Sequence, residues 1–203
     1  MTASGERGAA SVEGASRPVE RPPPCSPLAA RLSVVLDDLA FFAGDAIARP
    51  VTAELGATTP LGRRLEAAAL DGERGARLAT QLRPAEPLAV GSAVVTGAGG
   101  LAVELLVHAV VQSTTERVTR DGVSRATVSA LQRAAAFEVR HLALPPFGLG
   151  AGNLDPDEAA EAMVDSIVRH LARSSFPERV SVVVETEDER RAFEARLPMT
   201  ETE

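Results

Sequence analysis

Apolar and polar positions divide this chain into short blocks whose period switches between that of a strand and that of a helix. Leu32-Ser33-Val34-Val35-Leu36 reads as a strand stopped by Asp37-Asp38, and a second strand is expected over Ala46 to Val51. Gly56 to Thr59 reads as a loop running into a helix, with Thr59 as N-cap, Pro60 in the first turn, and Leu61, Leu65 and Ala68 on one face. A helix over Arg74 to Leu82 ends before Pro84. Ala93 to Thr96 and Leu105 to Val111 read as strands joined through the turn Gly97-Ala98-Gly99-Gly100. A helix is predicted over Arg125 to Val139, with Val128, Leu131, Ala135 and Val139 inward.

Leu142-Ala143-Leu144 is a short apolar strand halted by Pro145-Pro146. The following helix runs from Pro156 to Ser174, with Ala159, Met163, Ile167 and Leu171 as its apolar stripe. Val180 to Val184 is almost all valine, as expected of a strand buried on both faces. Thr186 and Glu189 form a capping box for a last helix whose Phe193 and Leu197 point inward. Strands alternating with helices predict a three-layer α/β/α sandwich with a mixed, largely parallel central sheet. Residues 1–27 are rich in Pro, Gly and Ala and cannot bury enough apolar area to offset their ordering entropy, so they are expected to be a disordered tail before a single domain over 30–198.

One stretch carries candidate chemistry. After the Leu142 strand come Phe147-Gly148-Leu149-Gly150-Ala151-Gly152-Asn153, and then a helix start with Asp155 as N-cap and Glu158 completing a capping box. Strand, glycine loop and helix N-terminus together gather free amides of the kind that cradle a phosphate or pyrophosphate.

Composition narrows the function classes. The 203 residues contain six Phe and no Tyr or Trp, so the core must be built from aliphatic side chains. Every one of the 21 basic residues is Arg, and the net charge of −7 opposes general binding to nucleic acid or anionic membranes. Cys25 is the only cysteine, which excludes an internal disulfide, a zinc cluster and a CxxC motif. His141 and His170 lack the spacing with other ligands that a metal site needs, and no cofactor is expected. No signal peptide or membrane span is predicted, and a cytoplasmic location is expected.

The order of several segments resembles the macro domain, a module known for binding ADP-ribose. Val34-Val35-Leu36-Asp37-Asp38-Leu39 is similar to the family's first ligand segment, with Asp38 on its aspartate. Asp45-Ala46-Ile47 matches its next strand, Gly91-Ser92-Ala93-Val94-Val95-Thr96 its Gly-x-Ala-x-x-Thr segment, and Val107-His108-Ala109-Val110 the strand after that. Leu142 to Leu154 resembles the second phosphate loop, with Pro145, Gly148 and Gly150 in the family's places. The departures are also specific. Arg49 and Thr52 stand where an asparagine pair is usual, Ala57-Thr58-Thr59-Pro60-Leu61 replaces a glycine run, and Glu185 stands where an aromatic often stacks on adenine.

The resemblance implies a cleft at the strand C-terminal ends that binds ADP-ribose or a related nucleotide, free or on a modified protein. Its expected lining is Asp38, Leu39, Arg49, Thr52 and the loop Phe147, Gly148, Leu149, Gly150, Ala151, Gly152 and Asn153. Asp38 reads either as the acceptor for an adenine amino group or as a turn aspartate. Arg49 could enter the cleft and hold a phosphate in a bidentate contact; the outward, solvated reading is the favoured one, because surface Arg is the common case. His108 reads as a structural core histidine. A degenerate fold serving as a non-catalytic interaction module is the alternative function. An ADP-ribosyl hydrolase ranks last, since the asparagine pair is missing.

Overall fold

The computed structural model of the chain describes residues 28–150 and 154–198. These residues form a six-stranded sheet of β1 (Leu32–Leu36), β2 (Ala46–Thr52), β3 (Ala93–Gly97), β4 (Leu105–Gln112), β5 (His141–Leu144) and β6 (Arg179–Val184). The spatial order is β1-β6-β5-β2-β4-β3, and only β3 runs antiparallel to its neighbour. Helices α1 (Leu28–Arg31), α2 (Pro60–Ala69), α3 (Gly72–Gln81), α4 (Arg120–Ala136), α5 (Pro156–Leu171) and α6 (Glu187–Glu194) flank it. The α/β/α sandwich expected from alternating strands and helices is the architecture found.

Strand periodicity decides which face each residue serves. Ala46 and Ala48 of β2, Leu142 and Leu144 of β5, and Val180, Val182 and Val184 of β6 point to the layer of α4, α5 and α6. The alternate residues Ile47, Leu106, Ala143 and Val183 point to the layer of α2 and α3. Both faces being covered explains why β6 reads as an unbroken valine run.

Four helices start where their caps stand. Thr59, Thr119, Asp155 and Thr186 each accept a backbone N–H from the first turn, and the last two complete the predicted capping boxes. Thr119 corrects the expected α4 boundary, for the helix begins at Arg120 rather than Arg125. Its buried face is accordingly Val123, Ala126, Ala130, Leu131 and Ala134, while Val128 and Ala135 are only half-buried. The prediction followed the larger side chains, whereas close packing of α4 on the alanine-rich α5 selects small ones. A further addition is Arg31, which precedes the first expected strand. It is 4% exposed, and its guanidinium donates to the carbonyls of Leu171, Ser174 and Pro177 at 2.7, 3.0 and 2.7 Å, tying α1 to the α5–β6 turn.

Every parallel strand ends at the same pole. There the segment 53–59, ahead of α2, and the loop after β5 come together, at the carboxyl edge where open α/β sheets bind ligands.

Candidate functional site

Two lips face each other across a cleft of about 130 Å³. One is the N-terminus of α2, with Thr59, Pro60 and Leu61; the other is the loop after β5, with Pro145, Pro146, Leu149 and Gly150. Gly150 has φ +105°, a conformation that a side chain resists, and a Cβ there would lie 3.4 Å from the Thr59 methyl. Gly148, at φ +87°, serves a different end. A Cβ on it would meet Val123 at 2.9 Å and Leu154 at 3.1 Å, so its bareness is demanded by the core beneath the loop.

The loop is anchored from below. Phe147 is fully buried, and its N–H donates to Met163 Sδ at 2.9 Å, which leaves that amide unavailable to an anion. Leu149 is half-buried and packs on the same core while lining the cleft. Ala151, Gly152 and Asn153 lie outside the described residues. At the end of the loop, Asp155 and Glu158 satisfy each other's backbone N–H groups, so the α5 amides in the capping box are already engaged.

The rim of the cleft is acidic, with one cation inserted. Asp38 caps the 3-10 turn Leu39–Phe41, its Oδ1 accepting Ala40 N–H at 2.9 Å. Arg64, on α2, places Nη2 4.0 Å from that oxygen and donates to Glu185 Oε1 at the end of β6. Glu189 lines the same cleft, although its carboxylate already accepts the N–H groups of Glu185 and Thr186. The hydrogen bonding of Asp38 is that of a turn aspartate, and its side chain is half-exposed beside Arg64, which connects it to Glu185 in the cleft lining.

Leu39, Arg49 and Thr52 are placed elsewhere. Leu39 is fully buried between the 3-10 turn and α2. Thr52 Oγ1 accepts Gly56 N–H at 3.2 Å and Glu54 N–H at 3.3 Å, holding the turn that leads to α2.

Arg49 corrects the outward reading: it is 1% exposed and lies under α2. The strand alternation that sends Ile47 to the α2 layer sends Arg49 there as well. Its Nη1 meets Glu66 at 3.2 Å, its Nη2 donates to the Leu55 carbonyl at 3.2 Å, and its Nε donates to His108 Nδ1 at 3.0 Å. Burial pushes its pKa down, and Glu66 opposes that shift.

His108 extends the network. Because Nδ1 is the acceptor from Arg49, the ring proton sits on Nε2, which lies 2.7 Å from Thr96 Oγ1; the Thr96 hydroxyl then donates to the Gly97 carbonyl at 2.9 Å. A second ring proton would oppose the Arg49 N–H. Burial and the adjacent guanidinium push the His108 pKa down to about 3. The expected core role of His108 is what the structure holds.

Two residues of this region escaped sequence reading, Arg64 and Glu66. Both sit on α2 on either side of the inward Leu65, and their partners Glu185 and Arg49 are 121 and 17 residues away in the chain. A charged pair at four-residue spacing would have been visible; these pairings across the fold leave no local trace.

The family model described as Macro domain matches residues 66–163. An uncharacterized protein of Mycobacterium tuberculosis (strain ATCC 25618 / H37Rv) is 31% identical over 131 residues, a stretch that covers 64% of this chain and 36% of that protein. The match thus spans little more than a third of the curated relative's length. Among solved structures, the Oceanobacillus iheyensis macrodomain with ADP is similar at a TM-score of 0.71 and 18% identity, covering 82% of this chain and 89% of that one. The Trypanosoma brucei macrodomain in complex with ADP-ribose is similar at a TM-score of 0.71 and 14% identity, covering 83% of this chain and 69% of that one. Identities this low make the structural likeness one of fold.

Proposed function

We propose that this chain, which belongs to the macro domain family, binds ADP-ribose or a related adenine nucleotide diphosphate in the cleft between Thr59 and Gly150. The observation that carries the reading is Gly150. It holds a left-handed conformation at the carboxyl pole of a parallel sheet, facing the N-terminus of α2, where a diphosphate can meet backbone amides without an intervening Cβ. Solved relatives of this fold carry ADP or ADP-ribose, which supports the same ligand class here.

In this reading the Leu149–Gly150 segment and the α2 N-terminus take the phosphates. Asp38 accepts from the adenine amino group at the rim. Arg64 is the cation that offsets the Asp38 and Glu185 carboxylates as the anion enters. The cleft of about 130 Å³ is below the ~300–1,000 Å³ of a site that encloses a drug-sized molecule. It therefore grips the diphosphate and leaves base and sugars on the rim, a geometry open to free ADP-ribose and to ADP-ribose attached to a protein.

Binding without turnover is the expected activity. Arg49 is held beneath α2 and Thr52 in its own turn, so neither side chain reaches the cleft to hold a distal ribose or a water.

Calorimetric titration with ADP-ribose, ADP and ribose 5-phosphate tests the reading, beside Gly150→Glu. ADP-ribose should bind, and the variant should weaken it by at least about tenfold, equivalent to ~1.4 kcal/mol, without loss of fold. A mono-ADP-ribosylated peptide supplies the second arm, read for binding and for release of label. No heat with any of these ligands would retire the nucleotide reading and leave the fold as an interaction module.

A further inference from the structure

The edge of the sheet at β3 is built differently from the cleft. β3 ends the strand order, and among the described residues nothing pairs with its outer side. Its sequence, Ala-Val-Val-Thr-Gly, has none of the charges or prolines with which exposed edges are ordinarily protected. Ala93 turns its carbonyl outward, where it accepts from Arg133 Nε at 3.0 Å. By the alternation of an antiparallel pair, Val95 also presents both its N–H and its C=O to the open edge.

Two hollows of about 450 and 500 Å³ run along this edge and share Gln81 and Gly97 as a common boundary. The first straddles the strand. Leu55, Leu88 and Val94 wall it on the α3 side, and Leu105 and Phe137 wall it on the α4 side, with Phe137 54% exposed. The β3 edge is therefore the floor of an apolar trough open to solvent. The second hollow carries Arg74, Arg77 and Gln81 from one stripe of α3. Glu104 is the carboxylate that lines it, and neither arginine forms an ion pair among the described residues. Opposite them, a Cβ on Gly97 would meet nothing within 4 Å, so this wall is open.

We propose that this groove is a docking site for an extended peptide that adds a strand to β3. Main-chain hydrogen bonds to Val95 supply the pairing. Alternate apolar side chains enter the trough on either side of the edge, and acidic residues at the end beside Gly97 meet Arg74 and Arg77. A chain of net charge −7 repels acidic peptides in general, so recognition of one requires a local cationic site of this kind. The groove lies outside the cleft between Thr59 and Gly150, shares no lining residue with it, and does not depend on nucleotide binding.

A display library of random peptides is the probe, selected on the folded chain and on two variants. Val95→Pro removes the outward N–H, which an edge strand tolerates in its fold. Arg74→Glu with Arg77→Glu reverses the charge of the second hollow through two exposed side chains. The expected result is enrichment of peptides with alternating apolar residues, acidic residues at one end and no central proline. Each variant should weaken a selected peptide by at least about tenfold in fluorescence polarisation, with its melting temperature held. Failure to enrich such peptides, or equal binding to the wild type and the folded variants, overturns the proposal. Should Val95→Pro melt, the exposed arginine variant alone decides by the same criterion. A wild-type dimer that Val95→Pro dissolves also overturns it, because a second copy would then fill the groove.

Discussion

Two arginines of the α2 region make the same kind of ion pair and have opposite consequences. Arg49 is buried and locked to Glu66, His108 and the Leu55 carbonyl. Arg64 is half-exposed and spans Asp38 and Glu185 at the mouth of the cleft. Buried charge that is fully partnered cannot lose one partner cheaply, whereas exposed charge is screened by water and can exchange partners. The first pair therefore holds α2 against the sheet, and the second is free to respond to a ligand.

The strongest way to break the comparison is Arg49→Ala. It leaves Glu66 beside a cavity, with the His108 and Leu55 acceptors unfilled, and should cost about 3–5 kcal/mol of stability by urea denaturation. A loss below about 1 kcal/mol would mean that the network is not load-sharing in the way its geometry indicates.

Acid tests the same network. His108 is neutral in the fold, with a pKa near 3, and has an unfolded pKa of about 6.5, so the unfolded chain binds the extra proton between those values. Stability should fall as pH drops through that window, by up to about 1.4 kcal/mol per pH unit, and should be fully present above pH ~6.5. Comparing urea midpoints of the wild type and His108→Gln from neutral to acid pH isolates the contribution. Equal slopes for the two proteins would remove His108 from the account.

Thr96→Val is milder. It strips the acceptor from His108 Nε2–H and should cost about 1–3 kcal/mol, measurable as a lowered melting temperature. Arg64→Ala should leave the melting temperature nearly unchanged, because water screens this exposed pair. It should nonetheless weaken ADP-ribose severalfold, and the loss should shrink at high salt. Titrations at two ionic strengths check this; affinity unchanged at low salt would place Arg64 outside the site.

Much of the fold was legible in the sequence because it is written in local period and punctuation. The valine run of β6, the prolines closing β5 and the caps at Thr59, Asp155 and Thr186 each act within a few residues of themselves. The order of the macro-like segments identified the sheet that they build. The start of α4 was missed because Thr119 announces it with little apolar periodicity behind it, and alanine carries a weaker signal than valine.

The site was legible in outline only. Sequence placed Gly148 and Gly150 in one phosphate loop, but packing separates them: Gly148 answers to Val123 and Leu154 in the core, and Gly150 faces Thr59 across the cleft. The direction of Arg49 follows from strand alternation together with the helix that covers that face, and no local spacing contains the second condition. Local chemistry determined where strands, helices and turns form. The assembled sheet decided which charges are buried, which remain at the rim, and which edge stays open, because those outcomes depend on residues distant in the chain and brought together only by the fold.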